Sequence, residues 1–319
     1  MKYECEKTVL VALGGNAILR YKEEGTAEEQ LRNVRASCRT LAQLIGEGYH
    51  IAITHGNGPQ VGDILLRNEM AKGVLPPMPL DFCGAESQGM IGYMLQQCLM
   101  NELRQTGDLR PVMTILTQTL VDPNDTAFGR PSKPIGPFYS AQEAEALRKE
   151  KGWTVAESPG RGFRRVVPSP RPVSILEGQS IKDLFENGYV VIACGGGGIP
   201  VVESEGEIGG VEAVVDKDHS AAVMAHLIGA CSMLILTDVE SVFLDYGRPE
   251  QRAIGPMTVT QAEKWLKEGQ FMEGSMGPKV ESAIEFVKNG GRRAVITSME
   301  KALEALTGNA GTTITDGRS

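Results

Sequence analysis

Long apolar runs are missing from this sequence. No stretch of about 20 consecutive apolar residues occurs in the 319-residue chain, which excludes a membrane-spanning helix. Aromatic residues make up only 5%, and 32 basic residues face 40 acidic ones, for a net charge of −8. Because an acidic surface repels polyanions, we expect neither nucleic acid nor membrane as a partner. The amino-terminal apolar run is too short for a signal peptide.

Metal-ligand spacing is also missing. The six cysteines form no CxxC pair, and the four histidines show no metal-ligand spacing. The sequence therefore predicts no site where the protein alone holds a metal. We expect the cysteines to be reduced and buried, as in a cytoplasmic protein. They are Cys5, Cys38, Cys83, Cys98, Cys194 and Cys231.

Two common nucleotide-binding motifs are absent as well. The chain has neither the Walker A pattern GxxxxGK[ST] nor the dinucleotide pattern GxGxxG. Gly56, Gly58 and Gly62 form a looser GxGxxxG, which keeps an NAD(P)-binding oxidoreductase as an alternative. Against it, these glycines follow the second predicted strand, and the expected acid at the next strand end is not evident.

Short apolar runs and helical periodicity indicate the fold. Runs rich in Val, Ile and Leu predict buried strands at 9–13, 50–54, 189–194, 233–237 and 293–297. Apolar residues spaced three or four apart predict helices over 31–44, 90–99 and 280–287. This alternation predicts an α/β protein built around a mainly parallel open sheet, and the length predicts two lobes. A proline-rich stretch, 119–175, is predicted to be an insertion of turns and short strands with a helix at 140–151.

Glycine is abundant, with 38 residues, and three clusters follow predicted strands. Gly14 and Gly15 precede Asn16, Gly56 and Gly58 flank Asn57, and the third cluster spans 195–198. Ligands bind beyond the carboxyl ends of parallel strands, where glycine lets backbone N–H groups approach an anion. Pro59 suits the first turn of a helix that would add a positive dipole end. We therefore predict a phosphate site at this edge.

Three lysines are candidates to neutralise that phosphate. Lys217 lies between Asp216 and Asp218 before a predicted helix, where Asp218 is expected to cap the helix or orient the lysines. Lys279 opens another helix, and Lys133 lies in the insertion. Glycine turns and separated lysines, with no Ser-His-Asp set, are typical of phosphoryl transfer. A basic run, 160–165, receives no role from the sequence.

These segments together resemble the carbamate kinases of the amino acid kinase family, over nearly the whole chain. The segments that carry the resemblance are VALGGNAI (11–18), THGNGPQVG (54–62), PSKPIGPFY (131–139), SPGRGFRRVVPSPRP (158–172), IACGGGGIPV (192–201), GVEAVVDKDHSAA (210–222), LTDVESVF (236–243), GSMGPKVESA (274–283) and AGTTI (310–314).

The resemblance implies a three-layer αβα sandwich and reversible phosphoryl exchange between ATP and carbamate, with Mg²⁺ accompanying the nucleotide. Residues 1–225 would bind carbamate or carbamoyl phosphate, with 119–175 as a protruding lid, and 226–319 would bind the nucleotide. The family's direction is often ATP synthesis in arginine or ureido-compound breakdown, by cytoplasmic homodimers whose sheets join.

The resemblance also implies roles for individual residues. The catalytic set would be Lys133, Lys217, Lys279 and Asp218. Phosphate and substrate would contact Gly14, Gly15, Asn16, Gly56, Asn57, Gly58, Gly195 and Gly196. The nucleotide would contact Lys217, Thr237, Asp238, Val239, Met276, Gly277, Pro278 and Lys279. The alternatives are another member of the family that phosphorylates a carboxylate, and a non-enzymatic sensor of anions or nucleotides.

Overall fold

The computed structural model describes residues 5–158, 160–272 and 274–317. Pro159, one of the prolines of the predicted insertion, lies outside the described residues. The helices are α1 (Ala27–Gly46), α2 (Gly58–Ala71), α3 (Leu80–Gln105), α4 (Ala141–Lys151), α5 (Gly178–Glu186), α6 (Lys217–Leu227), α7 (Val259–Lys267), α8 (Met276–Lys288) and α9 (Ala302–Leu306).

The strands include all five predicted from apolar runs. They are β1 (Thr8–Leu13), β2 (His50–His55), β3 (Val112–Thr114), β4 (Gln118–Val121), β5 (Lys133–Tyr139), β6 (Val155–Ser158), β7 (Gly162–Val167), β8 (Pro172–Ile175), β9 (Val190–Ile192), β10 (Ile199–Ser204), β11 (Glu207–Gly210), β12 (Ser232–Thr237), β13 (Val242–Leu244), β14 (Arg252–Ile254), β15 (Met257–Thr258), β16 (Arg293–Ser298) and β17 (Thr312–Thr315).

The main sheet is mostly parallel, as the sequence predicts. Its strand order is β15-β17-β16-β12-β1-β2-β9-β3, and only the β16–β17 pair is antiparallel. In-register pairing of β1 with both β12 and β2 brings Leu13 beside Leu236 and His55. The carboxyl ends of β1, β2, β9 and β12 therefore lie along one edge of the sheet.

Helices cover both faces of this sheet, which confirms the three-layer sandwich. Alternate residues of β1 point to opposite faces because side chains alternate along a strand. Leu10 packs into the core formed with α5, α6, α7 and α8, whereas Val11 packs into the core formed with α1, α3 and α9. Both residues are fully buried.

The proline-rich stretch contributes to two smaller sheets. Its two ends, β4 and β8, join β10 and β11 in a sheet of order β11-β10-β4-β8. Its middle forms the antiparallel sheet β5-β7-β6 with α4 beside it, and α4 matches the helix predicted at 140–151. Ile135 and Val167 of this sheet pack against α2, in a core of their own with Val61. The middle of the stretch, called the subdomain below, therefore stands over the amino end of α2.

The main sheet runs through both predicted lobes, since β12 and β16 continue the same sheet as β1 and β2. Helix α6 extends across the predicted boundary between residues 225 and 226. The division into a substrate lobe and a nucleotide lobe stays a prediction. In the described ranges, no helix is both long and apolar enough to cross a membrane.

One pair of cysteines corrects the expectation of reduced thiols. Cys5 and Cys231 form a disulfide, with Cα atoms 5.6 Å apart and a sequence separation of 226. Cys5 precedes β1 and Cys231 precedes β12, and the pairing of Val9 with Ser232 places the two strand starts side by side. Sequence spacing alone does not reveal such a pairing. The free cysteines Cys38, Cys83, Cys98 and Cys194 are buried, as predicted.

Candidate active site

The three glycine clusters converge at the carboxyl edge of the sheet, as predicted. The turns after β1 and β2 lie so close that a Cβ at Gly56 would be 3.4 Å from the backbone nitrogen of Gly15. Gly196, in the turn after β9, lies against the side chain of Asn57. Residues separated by up to 180 positions in the chain thus surround one point, because parallel strands end at the same edge.

A cavity of about 560 Å³ opens at this point, a volume typical of small-molecule sites. It brings together the three lysines predicted from widely separated segments. The predicted site residues in its wall are Gly15, Gly56, Asn57, Gly58, Lys133, Gly196, Lys217, Asp218, Pro278 and Lys279. Asp216, which the sequence places beside Lys217, also lines it. We call this cavity the first cavity.

The lysines are held by two aspartates. Lys133 Nζ lies 2.5 Å from Asp216 Oδ2, which ties the subdomain to the amino end of α6. Asp218 bridges the other two lysines, since its Oδ1 accepts from Lys217 and its Oδ2 accepts from Lys279 Nζ at 3.1 Å. The Asp218 side chain is only 4% exposed. Three ammonium groups therefore share two carboxylates, and one positive charge remains for a ligand.

Burial and these ion pairs shift the pKa values of the group. Burial raises the pKa of Asp216 and of Asp218, but the adjacent lysines outweigh it, so both carboxyls titrate below their usual range. Burial lowers the pKa of the Lys217 amine, with Asp218 acting in the opposite direction. The arrangement keeps both aspartates ionised, so the lysines are oriented by fixed negative charges.

The capping residue of α6 differs from the one expected. Asp216, not Asp218, is the N-cap, and its Oδ1 accepts from the backbone N–H of Asp218 at 2.9 Å. Asp218 is the second residue of the helix, so its carboxylate is available to orient the lysines, the other role expected of it. At α2 the prediction is confirmed: the helix begins at Gly58 and has Pro59 in its first turn.

Two of the glycine N–H groups predicted to contact phosphate are already engaged. Gly14 N–H donates to Leu236 O and Gly56 N–H donates to Leu13 O, each at 3.0 Å. These two N–H groups therefore close the strand turns, and the contact of Gly14 and Gly56 with phosphate stays a prediction. Gly58, as the first residue of α2, presents one of the N–H groups that have no acceptor within the helix.

Two further predicted residues lie outside the wall of the first cavity, and a third lies in the wall but uses one of its hydrogen-bond donors elsewhere. Asn16 lies with Gly14 on a separate cavity beside α1. Gly195 lies against His55 and is absent from the wall of the first cavity, to which its neighbour Gly196 belongs. Asn57 donates one of its two amide N–H groups to Ser87 Oγ at 2.7 Å. Fewer of the predicted polar groups therefore face the first cavity than the sequence indicates.

Four of the eight residues predicted to contact the nucleotide line a second cavity, of about 400 Å³, whereas Lys217, Pro278 and Lys279 line the first cavity. Thr237, Asp238, Val239 and Met276 belong to its wall, and Ser275 borders both cavities. Gly277 is buried, and its N–H donates to Met272 O at 3.0 Å, which fixes the first turn of α8. Since Ser275 borders both cavities, the second cavity adjoins the part of the first cavity that contains Lys279.

Sequence reasoning missed several wall residues. The second cavity also contains Phe243, Tyr246 and Phe271, aromatic side chains without any regular spacing that would signal them. In the first cavity the charged wall residues Asp63 and Arg164 were not predicted. Arg164 belongs to the basic run 160–165, to which the sequence assigns no role. Across the described ranges, no group of three or more His, Cys, Asp or Glu side chains is placed to hold a metal ion.

Comparison with known proteins agrees with this geometry. The model of the amino acid kinase family matches residues 7–298.

The chain belongs to the amino acid kinase family.

Within the family, this member groups with the carbamate kinases. It is 52% identical over 311 residues to the carbamate kinase of Thermococcus kodakarensis, covering 97% of this chain and 99% of that protein. It is 51% identical over 309 residues to that of Pyrococcus horikoshii, covering 96% and 98%. The solved structure of carbamate kinase from Giardia lamblia bound to AMP-PNP matches with a TM-score of 0.92 and 44% identity, covering 97% and 98%.

Proposed function

We propose that this chain is a carbamate kinase, which transfers a phosphoryl group between carbamoyl phosphate and ADP. The observation that carries the proposal is the pair of adjoining cavities joined at Ser275. One holds three lysines at a glycine-lined sheet edge, as a transferring phosphoryl group requires, and the other has the aromatic walls that a nucleoside requires. A relative of 52% identity over nearly the whole chain carries the name carbamate kinase.

The reaction needs no general base from the protein. Carbamate is an anionic oxygen nucleophile, so catalysis consists of positioning the reactants and neutralising the phosphoryl charge. In our mechanism, Lys217 and Lys279 contact the phosphoryl oxygens both before and after the transfer step. Asp218 holds both lysines in place. Gly15 and Gly58 donate backbone N–H groups to the same oxygens. Lys133 reaches the first cavity from the subdomain and adds a positive charge.

A Mg²⁺ ion would be brought to the first cavity by the nucleotide, and Asp63 is the carboxylate that could hold it there. Asp218 is occupied by two lysines, and Asp216 by Lys133 and the α6 backbone. Mg²⁺ usually keeps several waters and takes only one or two protein carboxylates beside phosphate oxygens. When bound, it offsets negative charge on the phosphates; Asp63 is the remaining carboxylate in the wall.

We further propose a homodimer that makes ATP during the breakdown of arginine or ureido compounds. A cytoplasmic location rests on the resemblance, since the Cys5–Cys231 disulfide removes the argument from reduced cysteines. β3 is the last strand of the main sheet, and apolar side chains are exposed around it, including Tyr93 at 62% and Leu116 at 52%. An open sheet edge flanked by apolar side chains favours pairing with a second copy. Light scattering tests this directly: Leu116→Glu should convert dimers to monomers, and a monomeric wild type would contradict it.

A substrate comparison tests the proposed reaction against the carboxylate-phosphorylating alternative. ATP formation from ADP is measured with carbamoyl phosphate and, separately, with acetyl phosphate. We expect a clear preference for carbamoyl phosphate. Lys217→Ala serves as the inactive control, since loss of one transition-state contact typically costs about 10²–10³ in rate. Equal use of both acyl phosphates would contradict the proposal, and so would wild-type turnover in the variant.

A further inference from the structure

The cation Arg164 faces the first cavity and has no role in the mechanism above. It belongs to β7 in the subdomain and is half-buried in the cavity wall, together with Lys133 of the neighbouring strand β5. The second cavity does not contain it. Its place in the fold is therefore on the small-substrate side, opposite the nucleotide.

The subdomain fixes the orientation of this guanidinium. Arg164 Nε donates to Gly136 O at 3.1 Å, across the β5–β7 pair. The guanidinium carbon lies 5.2 Å from the centre of the Phe138 ring, within the range of a cation–π contact. These two contacts use one N–H and one face, so the terminal nitrogens remain available to a ligand. A planar guanidinium held in this way can donate two parallel hydrogen bonds to the oxygens of a carboxylate.

Its charge is not compensated by a carboxylate. In residues 5–158, 160–272 and 274–317, no acidic side chain forms an ion pair with Arg164, whereas the adjacent Arg165 pairs with Glu212. The three lysines of the cavity each pair with Asp216 or Asp218. A half-buried cation without a counter-ion, in a protein of net charge −8, is a binding group for an anion.

We infer that Arg164 is the substrate-binding residue that recognises the planar carbamate group of the small substrate, an inference that rests on the proposed function. Lys133 is a point charge already shared with Asp216, so it neutralises charge without defining an orientation. Arg164 supplies the direction: its fork holds the carbamate plane so that one oxygen points towards the lysines of α6 and α8. The subdomain thereby selects the acceptor, and the sheet edge handles the phosphoryl group.

Steady-state kinetics of ATP formation test this assignment. Arg164→Met is compared with wild type and with Arg161→Met, a matched control. Arg161 stacks on the same Phe138 ring at 4.5 Å, but it is exposed and does not line the first cavity. We expect Arg164→Met to raise KM for carbamoyl phosphate about 10- to 100-fold, as for a lost hydrogen bond to a charged group. KM for ADP should stay within about twofold, and Arg161→Met should match wild type.

The outcomes separate this inference from the proposed function. If wild type makes no ATP from carbamoyl phosphate, both fail. If wild type is active and Arg164→Met keeps its KM for carbamoyl phosphate, or raises KM for ADP equally, only this inference is overturned. If Arg164→Met loses its cooperative melting transition, and is therefore not folded, the same kinetics are measured with Arg164→Lys. A selectively raised KM for carbamoyl phosphate in Arg164→Lys supports the fork geometry, and an unchanged KM overturns it.

Discussion

The substitution Asp218→Asn tests the charge network of the first cavity most sharply. It keeps the shape of the side chain and removes the negative charge that lies between Lys217 and Lys279. At the 3.1 Å separation of Lys279 Nζ and Asp218 Oδ2, the gross attraction is about 5 kcal/mol with an effective dielectric constant of about 20. Breaking a buried pair from one side costs about 3–5 kcal/mol net, because the partner charge stays buried. We expect a destabilisation of this size.

The ligand should reverse part of this loss. Nucleotide phosphates bring negative charge to the same lysines, so Asp218→Asn should gain more stability from ADP with Mg²⁺ than wild type gains. Turnover should fall about 10²–10³-fold, because the lysines lose their orientation. The assay is urea unfolding followed by circular dichroism, with and without ADP, together with initial rates.

A surface pair provides the control. Glu145 on α4 accepts from Lys149 Nζ at 3.3 Å, and both side chains are largely exposed. Glu145→Gln should change the free energy of unfolding by less than about 1 kcal/mol. If Asp218→Asn unfolds at the wild-type urea midpoint, or if ADP stabilises both proteins equally, the reasoning about a ligand-facing charge network is refuted.

Three further predictions concern stability. Gly197 has φ +95°, and a Cβ there would overlap the Val215 carbonyl oxygen, so Gly197→Ala should cost roughly 3 kcal/mol; an unchanged melting temperature would contradict this. Burial lowers the pKa of His55 from 6.5 to about 4, so stability should be full above pH 6.5 and fall by roughly 3 kcal/mol as pH drops towards 4. Urea midpoints across this range should show a shallower fall in His55→Gln, and identical curves would disprove the assignment. Because the Cys5–Cys231 disulfide closes a long loop at the strand starts, away from the first cavity, Cys5→Ser should lose about 2–5 kcal/mol in thermal or urea unfolding with unchanged turnover, and reductant should affect only wild type.

The sequence predicts the fold well where one physical signal dominates. Buried parallel strands such as β1 and β12 are continuous apolar runs, and parallel strands must end at one edge. This argument predicts that the glycine turns that contain Gly15, Gly58 and Gly196 meet, and they do. Lys133, Lys279 and Asp218 join them in the same cavity, although each comes from a different segment of the chain.

Contacts that depend on tertiary geometry were beyond sequence reasoning. The N–H groups of Gly14 and Gly56 are consumed by carbonyls of neighbouring strands, a detail of register that glycine content does not reveal. The disulfide of Cys5 depends on the pairing of β1 with β12 in the same way. The aromatic wall residue Phe243 lies in β13, a strand of three residues that is too short to show a periodic pattern.

We propose that this chain transfers a phosphoryl group between carbamoyl phosphate and ADP at the first cavity. The most direct measurement is ATP formation by the purified protein from carbamoyl phosphate and ADP, with Mg²⁺ and with a chelator, in wild type and Lys217→Ala. We expect ATP formation in wild type to depend on the divalent metal, and its rate to fall at least about 10²-fold in Lys217→Ala. Absence of ATP in wild type with Mg²⁺, or equal rates in wild type and Lys217→Ala, would contradict it.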